Sequence, residues 1–207
     1  MDHRLKNLLL SAYSPCESFA TACHEMRWSP GDGHVPRGFC GATGRLEDVR
    51  LVLVVAEPGD PHIGEHHPDS PETALKSTYD HAYRCFRDSK DLFHRNMRLI
   101  LNLCWPNKSF DEQLQVSWIT ESVLCSAKHE GAHVPSTVAR ACRARFLEAQ
   151  IEFFPNAVVV ALGGKAANRL KGLRFIAAGS IAPPGCNQPA VRSSWEQATA
   201  EVRRRVV

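Results

Sequence analysis

A short apolar run that stops at a Glu-Pro-Gly turn constrains this chain more than any other feature. Residues 49–56 read Val-Arg-Leu-Val-Leu-Val-Val-Ala, and Glu57, Pro58 and Gly59 follow directly. A near-continuous apolar run of this length, ended by turn residues, is typical of a strand that is buried on both faces of a parallel sheet. We therefore expect a sheet with helices on both sides.

Other segments repeat this pattern along the chain and alternate with helical ones. The predicted strands cover residues 49–56, 115–120, 157–162 and 173–178. The predicted helices cover residues 2–26, 70–103, 135–153 and 165–171, and a last helix begins at Ser193. Residues 28–44, which are dense in Gly and Pro, are predicted to form a loop. This alternation predicts a three-layer α/β/α fold with a central four-stranded parallel sheet, built as one domain over residues 1–207.

Composition excludes several classes of protein. No apolar stretch approaches the about 18 residues that a transmembrane helix needs, and the first residues lack the pattern of a signal peptide. We therefore expect a cytoplasmic monomer that does not contact a membrane. The net charge of +3 is compatible with nucleic-acid binding but does not require it. Eight cysteines in such a chain indicate metal binding or burial rather than disulfides.

In open parallel sheets, ligands bind beyond the carboxyl ends of the strands. The segments at those ends, residues 57–69, 120–133, 163–165 and 179–187, carry an order of motifs that resembles the iron–sulfur branch of the uracil-DNA glycosylase superfamily. The matching block runs from Trp118 through Cys125 and Cys142 to Gly163, and residues 54–59 are similar to that superfamily's first active-site motif. The resemblance implies a DNA glycosylase of base-excision repair. Such an enzyme hydrolyses the N-glycosidic bond of a damaged or deaminated base in DNA.

The resemblance also implies roles for residues at these strand ends. Glu57, with Asp60 as the next candidate, would position water or offset positive charge on the sugar, and Ser180 would assist the departing base. The residues expected to surround the flipped-out base are Ala56, Pro58, Gly59, Glu121 and Asn187. The residues expected to contact the DNA itself are Gly163, Lys165, Pro183 and Pro184.

Three departures from the family pattern change what we expect of the substrate. Ala56 stands where the family has a polar water-positioning residue, and the loop at 179–184 lacks the histidine of the last motif. Glu121 stands where the family commonly has Asn. An ionised carboxylate only accepts hydrogen bonds, whereas the edge of uracil presents an acceptor beside a donor. We therefore hypothesise a base other than plain uracil, unless Glu121 is protonated; a merely salt-bridged Glu121 is the simpler alternative.

Four cysteines fit the metal-ligand pattern of the iron–sulfur branch. Cys125 and Cys142 match the second pair of that branch, and Cys23 with Cys16 stands in for the first, with Cys40 as a replacement ligand. The resemblance implies a 4Fe–4S cluster, and zinc is the alternative. On one continuous helix, Cys16 and Cys23 would lie about 10–11 Å apart along the axis, so the cluster requires a bend near Pro15.

A second group of metal-ligand types occupies the loop after the first strand. Its members are Asp60, His62, Glu65, His66, His67 and Asp69. No regular spacing organises them, and most loops of this composition are simply solvated. Two alternatives to the glycosylase therefore stay open. One is a catalytically silent member of the superfamily that binds DNA or a nucleobase, and the other is a metal-dependent hydrolase that uses these histidines.

Overall fold

The computed structural model describes residues 1–206 and contains one sheet flanked by helices. The strands are β1 (Cys40–Gly41), β2 (Leu51–Val55), β3 (Ser117–Glu121), β4 (Val158–Leu162) and β5 (Ile176–Ala178). The helices are α1 (His3–Leu10), α2 (Pro71–Arg87), α3 (Leu92–Cys104), α4 (Phe110–Gln115), α5 (Ser136–Cys142), α6 (Glu148–Glu152), α7 (Gly164–Arg169) and α8 (Pro189–Val206). A π-helical turn, Arg143–Leu147, joins α5 to α6.

The strand order is β1-β3-β2-β4-β5, and every pairing except that of β1 with β3 is parallel. The predicted three-layer α/β/α fold is thereby confirmed, with the four predicted strands forming the parallel part. The fifth strand, β1, lies within the predicted loop 28–44, because it consists of only two residues and leaves no periodic pattern in the sequence.

Alternate residues of the central strand face two separate cores, as a sheet buried on both sides requires. Val52 and Val54 pack into one core with residues of α1, α5 and α7. Leu51, Leu53 and Val55 pack into the other core with residues of α2, α3 and α8. All five are buried, which accounts for the unbroken apolar run that the sequence shows.

Several predicted helix boundaries were wrong. The first helix ends at Leu10, not near residue 26, because proline at position 15 has no N–H for a helical hydrogen bond and disfavours helix in the residue before it. The region 70–103 contains two helices, and the Asp91 carboxylate caps the second by accepting from the His94 N–H at 3.1 Å. Helix α8 begins at Pro189, earlier than predicted, with proline in the first helical position that suits it.

A further helix, α4, was not predicted at all. Its N-terminus has a capping box, in which Ser109 and Glu112 each satisfy the other's backbone N–H. Among residues 1–206, no helix is long and apolar enough to cross a membrane.

Candidate functional site

The turn after β2 and the segment after β3 lie side by side at the carboxyl edge of the sheet. Val55 pairs with Glu121 in the parallel register. Beyond that pair, the Ser122 N–H donates to the Val55 carbonyl at 2.8 Å, and the Ser122 hydroxyl donates to the Ala56 carbonyl at 2.6 Å. The two segments that carry the glycosylase-like motifs are therefore hydrogen-bonded to each other beyond the ends of their strands.

Glu57 is held at this edge by two cations of helix α7. Lys165 Nζ donates to Oε1 at 2.5 Å, and Arg169 Nη1 makes an ion-pair contact with Oε2 at 2.6 Å. Arg169 also donates to the Ala56 carbonyl at 2.8 Å and to the Ser122 hydroxyl at 3.0 Å. The Glu57 side chain is only 9% exposed, so these contacts fix the position of its carboxylate. Lys165, expected at a DNA phosphate, instead pairs within the protein through its ammonium group.

Glu121 is a buried carboxyl group with an unsatisfied oxygen. The residue is 4% exposed, and its Oε2 has no hydrogen-bond partner among residues 1–206. Burial, and secondarily the charge of Glu57, raise the pKa of Glu121 well above its ordinary value, although Arg37 and Arg169 act in the opposite direction. The site therefore favours the protonated form of Glu121, and a protonated carboxyl group can donate as well as accept a hydrogen bond.

A glycine allows the chain to pass directly over Glu121. Gly38 has φ of +88°, and a Cβ atom at this position would lie 2.5 Å from Glu121 Oε1. Any side chain here would therefore meet both backbone strain and a steric clash. The sequence offered no sign of this contact, because the two residues are more than eighty positions apart.

Arg37 ties the Pro-Gly turn to the rest of the site. Its guanidinium donates to the carbonyl of Gly59 and, at 3.0 Å, to the Ser126 hydroxyl. It also lies 3.6 Å from Glu65 Oε1. Burial lowers the pKa of Arg37, but an arginine side chain keeps its charge in proteins. Neither Arg37 nor Arg169 was predicted from the sequence. The one available signal was the position of Arg169 one helical turn after Lys165, which places both side chains on the same face of α7.

The ends of β4 and β5 complete the edge of the sheet. The Gly163 N–H donates to the Ala178 carbonyl at 2.8 Å, and a Cβ atom on Gly163 would lie 3.3 Å from that of Ser180. The Ser180 hydroxyl is engaged within its own loop, at 3.2 Å from both the N–H and the carbonyl of Ala182. Three other predicted contacts lie exposed farther along this loop, namely Pro183, Pro184 and Asn187.

The turn residues next to Glu57 differ in their surroundings. Pro58 is buried, whereas Gly59 and Asp60 are exposed. Asp60 lies 3.6 Å from Arg27 across a groove of about 530 Å³. Because the walls of this groove include His34, His62 and His66, it belongs to the histidine loop and not to the Glu57–Glu121 pair.

The structure gathers the four predicted cysteine ligands around one core. Cys23 and Cys142 are members of the core that contains α1 and α5, and Cys16 and Cys125 pack against it. Burial raises the pKa of Cys125 well above its ordinary value, and the neighbouring thiols Cys142, Cys16 and Cys23 raise it further. Burial and the neighbouring thiol of Cys16 likewise raise the pKa of Cys23 to about 11. The four sulfurs are therefore within electrostatic reach of one another.

Two details correct the expected geometry of these ligands. Cys16 immediately precedes a short 3₁₀ turn, Glu17–Ala20, so the axial separation expected for one continuous α-helix does not apply. Cys40 lies on β1 in the other core, away from the four, and is not a replacement ligand.

The histidine loop meets side chains from α2 and α3. Two groups of ligand atoms lie within 4.8 Å of one another, one formed by His62, His81 and Cys85 and the other by His62, Asp91 and His94. His81, Cys85, Asp91 and His94 were not predicted, because they reach the loop only through tertiary packing. Of the predicted loop residues, His66 and Asp69 are exposed and belong to neither group.

No protein-family model matches this sequence, and no curated protein matches it either. The chemistry of the strand-end site therefore has to be argued from its own residues.

Proposed function

We propose that the protein is a DNA glycosylase that cleaves the N-glycosidic bond of a damaged or deaminated base. One observation carries this proposal: two glutamates at the ends of adjacent parallel strands are held in different states. Glu57 is paired with two cations, whereas burial raises the pKa of Glu121 and favours its protonated form. Pairs of carboxyl groups whose environments differ in this way are typical of active sites. In such sites, one carboxyl group donates a proton or a hydrogen bond to the substrate, and the other, ionised, stabilises positive charge.

Protonated Glu121 supplies the group that grips the base. Its carboxyl group offers one O–H donor and one acceptor side by side, as an amide does. Such a group matches a base edge with an acceptor next to a donor, which uracil and hypoxanthine both present. The burial of Glu121 therefore supports a base of this kind rather than one with two adjacent donors.

Glu57 and its partners supply the charge around the bond that breaks. The carboxylate of Glu57 is placed to stabilise positive charge on the sugar, as in an oxocarbenium-like transition state. Lys165 and Arg169 leave an excess of one positive charge in this cluster, which favours the departing anionic base. Lys165 pairs with Glu57 but is 49% exposed, so it is the member of the cluster that would contact a DNA phosphate when DNA binds.

We further propose that Cys16, Cys23, Cys125 and Cys142 hold a 4Fe–4S cluster. All four cysteines lie at one core, and the pKa of Cys125 is raised by the other three thiols, which supports a shared metal group. Four thiolates satisfy a four-iron cluster. The cluster would act as a structural cross-link between the N-terminal segment and α5.

One observation favours the catalytically silent alternative. Glu57 Oε1 accepts from Lys165, Glu57 Oε2 is buried beside Arg169 without a hydrogen bond, and the Ser180 hydroxyl is engaged within its own loop, so neither side chain is placed to activate water. A protein of this kind would flip or bind a base without cleaving it.

An abasic-site assay distinguishes these alternatives. Duplex and single-stranded oligonucleotides containing uracil, hypoxanthine, xanthine or an alkylated base are incubated with the protein, and strand breaks at abasic sites are measured. We expect cleavage of at least one base, retention of activity in Glu121→Gln and loss in Glu121→Ala, with Glu152→Gln as an exposed control. Binding without cleavage would support the silent alternative, and neither binding nor cleavage would refute both.

The cluster has a separate test. The purified protein should show the broad visible absorption of an iron–sulfur cluster together with labile sulfide. Cys142→Ser should abolish both, whereas Cys186→Ser, a substitution of a cysteine outside the group, should not. Absence of labile sulfide, or zinc that is lost in Cys142→Ser, would contradict the cluster and leave the glycosylase proposal to the oligonucleotide assay.

A further inference from the structure

Four ligand-type atoms converge where the histidine loop meets helix α2. His62 Nδ1 lies 3.3 Å from His81 Nε2, which in turn lies 3.3 Å from Cys85 Sγ. Glu65 Oε2 lies 3.4 Å from His62 Nδ1 and 3.3 Å from His81 Nε2. His62 and Glu65 come from the loop three residues apart, and His81 and Cys85 come from one face of α2, four residues apart.

Hydrogen bonds alone do not account for this convergence. His81 Nε2 has three polar neighbours within 3.4 Å but carries at most one hydrogen. His62 Nδ1 likewise faces both Glu65 Oε2 and His81 Nε2. At least one of these contacts therefore brings two lone pairs or two hydrogens together, and a cation between the atoms would remove that conflict.

We propose that His62, Glu65, His81 and Cys85 bind one zinc ion in a closed, four-coordinate site. Zinc with Zn–N and Zn–O bonds of about 2.0–2.1 Å and a Zn–S bond of about 2.3 Å places neighbouring ligand atoms about 3.3–3.6 Å apart in a tetrahedron. Four of the six separations in the group are 3.3 to 3.4 Å and match these edges, and the Cys85 sulfur lies within 4.8 Å of the His62 ligand nitrogen. The combination of imidazole, carboxylate and thiolate ligands is one that zinc accepts.

The groups behind the ligands form the outer shell that zinc sites usually have. His62 uses its second ring nitrogen, Nε2, to contact Asp91 Oδ2 at 3.1 Å, and the same oxygen contacts His94 Nδ1 at 2.8 Å. The second oxygen of Glu65, Oε1, contacts His67 Nε2 at 3.1 Å. Such contacts fix the orientation of each ligand and which ring nitrogen faces the metal.

Solvent exposure distinguishes the two candidate metal-binding groups. The group of His62, Asp91 and His94 would use His62 Nε2, and its carboxylate is 41% exposed. The proposed group includes a buried thiol, and the Glu65 carboxylate that faces it is only 3% exposed. This set is the better zinc site because its thiol and its carboxylate are already withdrawn from water.

A closed zinc site in this place would order the turn that carries Glu57. Four protein ligands leave no position for substrate, so the ion has a structural role. Glu65 contacts Arg37, and Arg37 donates to the Gly59 carbonyl. The ion would therefore hold residues 57–65 against α2.

The test measures metal in the full-length protein with zinc and cobalt(II) as probes. Zinc is quantified by mass spectrometry in the purified protein, and cobalt(II) is titrated while the thiolate-to-cobalt absorption is recorded. We expect about one zinc per chain, and its loss in His62→Ala, His81→Ala and Cys85→Ser. Asp91→Asn should weaken zinc binding by about 10–100-fold, because it removes an outer-shell partner.

Matched control variants distinguish the proposed zinc ion from metal bound elsewhere in the protein. His66→Ala removes an exposed histidine of the same loop, and Cys142→Ser removes a ligand of the cysteine cluster; both should retain the zinc and the cobalt absorption. If Cys85→Ser does not fold, His62→Ala still tests the proposal, because His62 lies on a surface loop. Wild-type zinc content no higher than that of His62→Ala would overturn the proposal. So would loss of zinc on His94→Ala with retention on Cys85→Ser.

Discussion

Two glutamates of this protein have side chains withdrawn from water, and yet their pKa values are shifted in opposite directions. The Glu65 side chain is 3% exposed, and Glu121 as a whole residue is 4% exposed. Burial raises the pKa of both, but hydrogen bonds from His67, His81 and the His62 backbone, with the charge of Arg37, bring that of Glu65 well below its ordinary value. Glu121 has an unpaired oxygen and a second carboxylate nearby, so its pKa stays high.

The comparison teaches that burial alone does not decide the state of a carboxyl group. What decides it is the number of donors that the surrounding segments bring within reach. Around Glu65 these donors come from the histidine loop, α2 and Arg37. Around Glu121 they are largely absent, which leaves a neutral group suited to binding a ligand edge.

The largest expected effect is on stability when Glu65 loses its charge. Glu65→Gln removes the only anion that Arg37, His67 and His81 share, and leaves buried cationic or donor groups without a partner. We expect a loss of about 3–5 kcal/mol in the free energy of unfolding at pH 7, measured by urea denaturation with chelator present. A loss no larger than that caused by Glu121→Gln would contradict the contrast between the two sites.

The pH dependence of stability should distinguish the two glutamates by sign. Because the folded pKa of Glu121 is raised above 4.5, its contribution is fully present below pH 4.5 and is lost as pH rises above that value. Glu65, with a lowered folded pKa, contributes above pH 4.5 and loses that contribution as pH falls.

Glu121→Gln isolates the first of these effects. The variant and the wild type should be equally stable near pH 4. Above pH 4.5, the free energy of unfolding of the variant should exceed that of the wild type by up to about 1.4 kcal/mol more for each pH unit, until the pKa of Glu121 in the folded protein is reached. Glu152→Gln, on the exposed surface of α6, should show no such trend. A pH-independent difference for Glu121→Gln would mean that Glu121 is ionised in the folded protein.

A smaller effect is expected where the chain passes over Glu121. Gly38→Ala places a Cβ atom 2.5 Å from Glu121 Oε1 at a backbone φ of +88°, and should cost about 1–3 kcal/mol. Gly31→Ala is the matched control, because nothing lies within 4 Å of its added carbon, and it should change stability by less than about 0.5 kcal/mol.

A double substitution then tests whether the two positions are in contact. Combining Gly38→Ala with Glu121→Ala should cost less than the sum of the single changes, since the clash disappears when the carboxyl group is removed. Strict additivity would show that the cost of Gly38→Ala is backbone strain alone.

The parallel strands were predictable because their signal is local. The apolar runs that form β2 and β4 reflect burial on both faces of the sheet, and this burial is visible in the residues of each strand alone. The convergence of the strand ends at Glu57 and Glu121 then followed from the geometry of a parallel sheet. The two-residue strand β1 carries too few residues to record any such pattern.

The environment of each carboxyl group was not predictable, because it depends on distant segments. Nothing near Glu121 in the sequence indicates that Gly38 covers it, and nothing near Glu65 indicates that His81 reaches it from α2. The sequence therefore allowed both an ionised and a protonated Glu121. Only the tertiary arrangement distinguishes a carboxyl group with several donors from one with almost none.

The smallest expected effect on stability is at Lys165, the exposed partner of Glu57. Its ammonium group is half in solvent, and Arg169 still pairs with Glu57 when Lys165 is replaced. Lys165→Gln should therefore cost less than about 1 kcal/mol, whereas its effect on DNA binding should be larger and should decrease as salt is raised. Lys171→Gln, at an exposed lysine just after α7, is the control. If both substitutions weaken DNA binding equally, Lys165 contributes only general positive charge, and the strand-end site does not use it to position DNA.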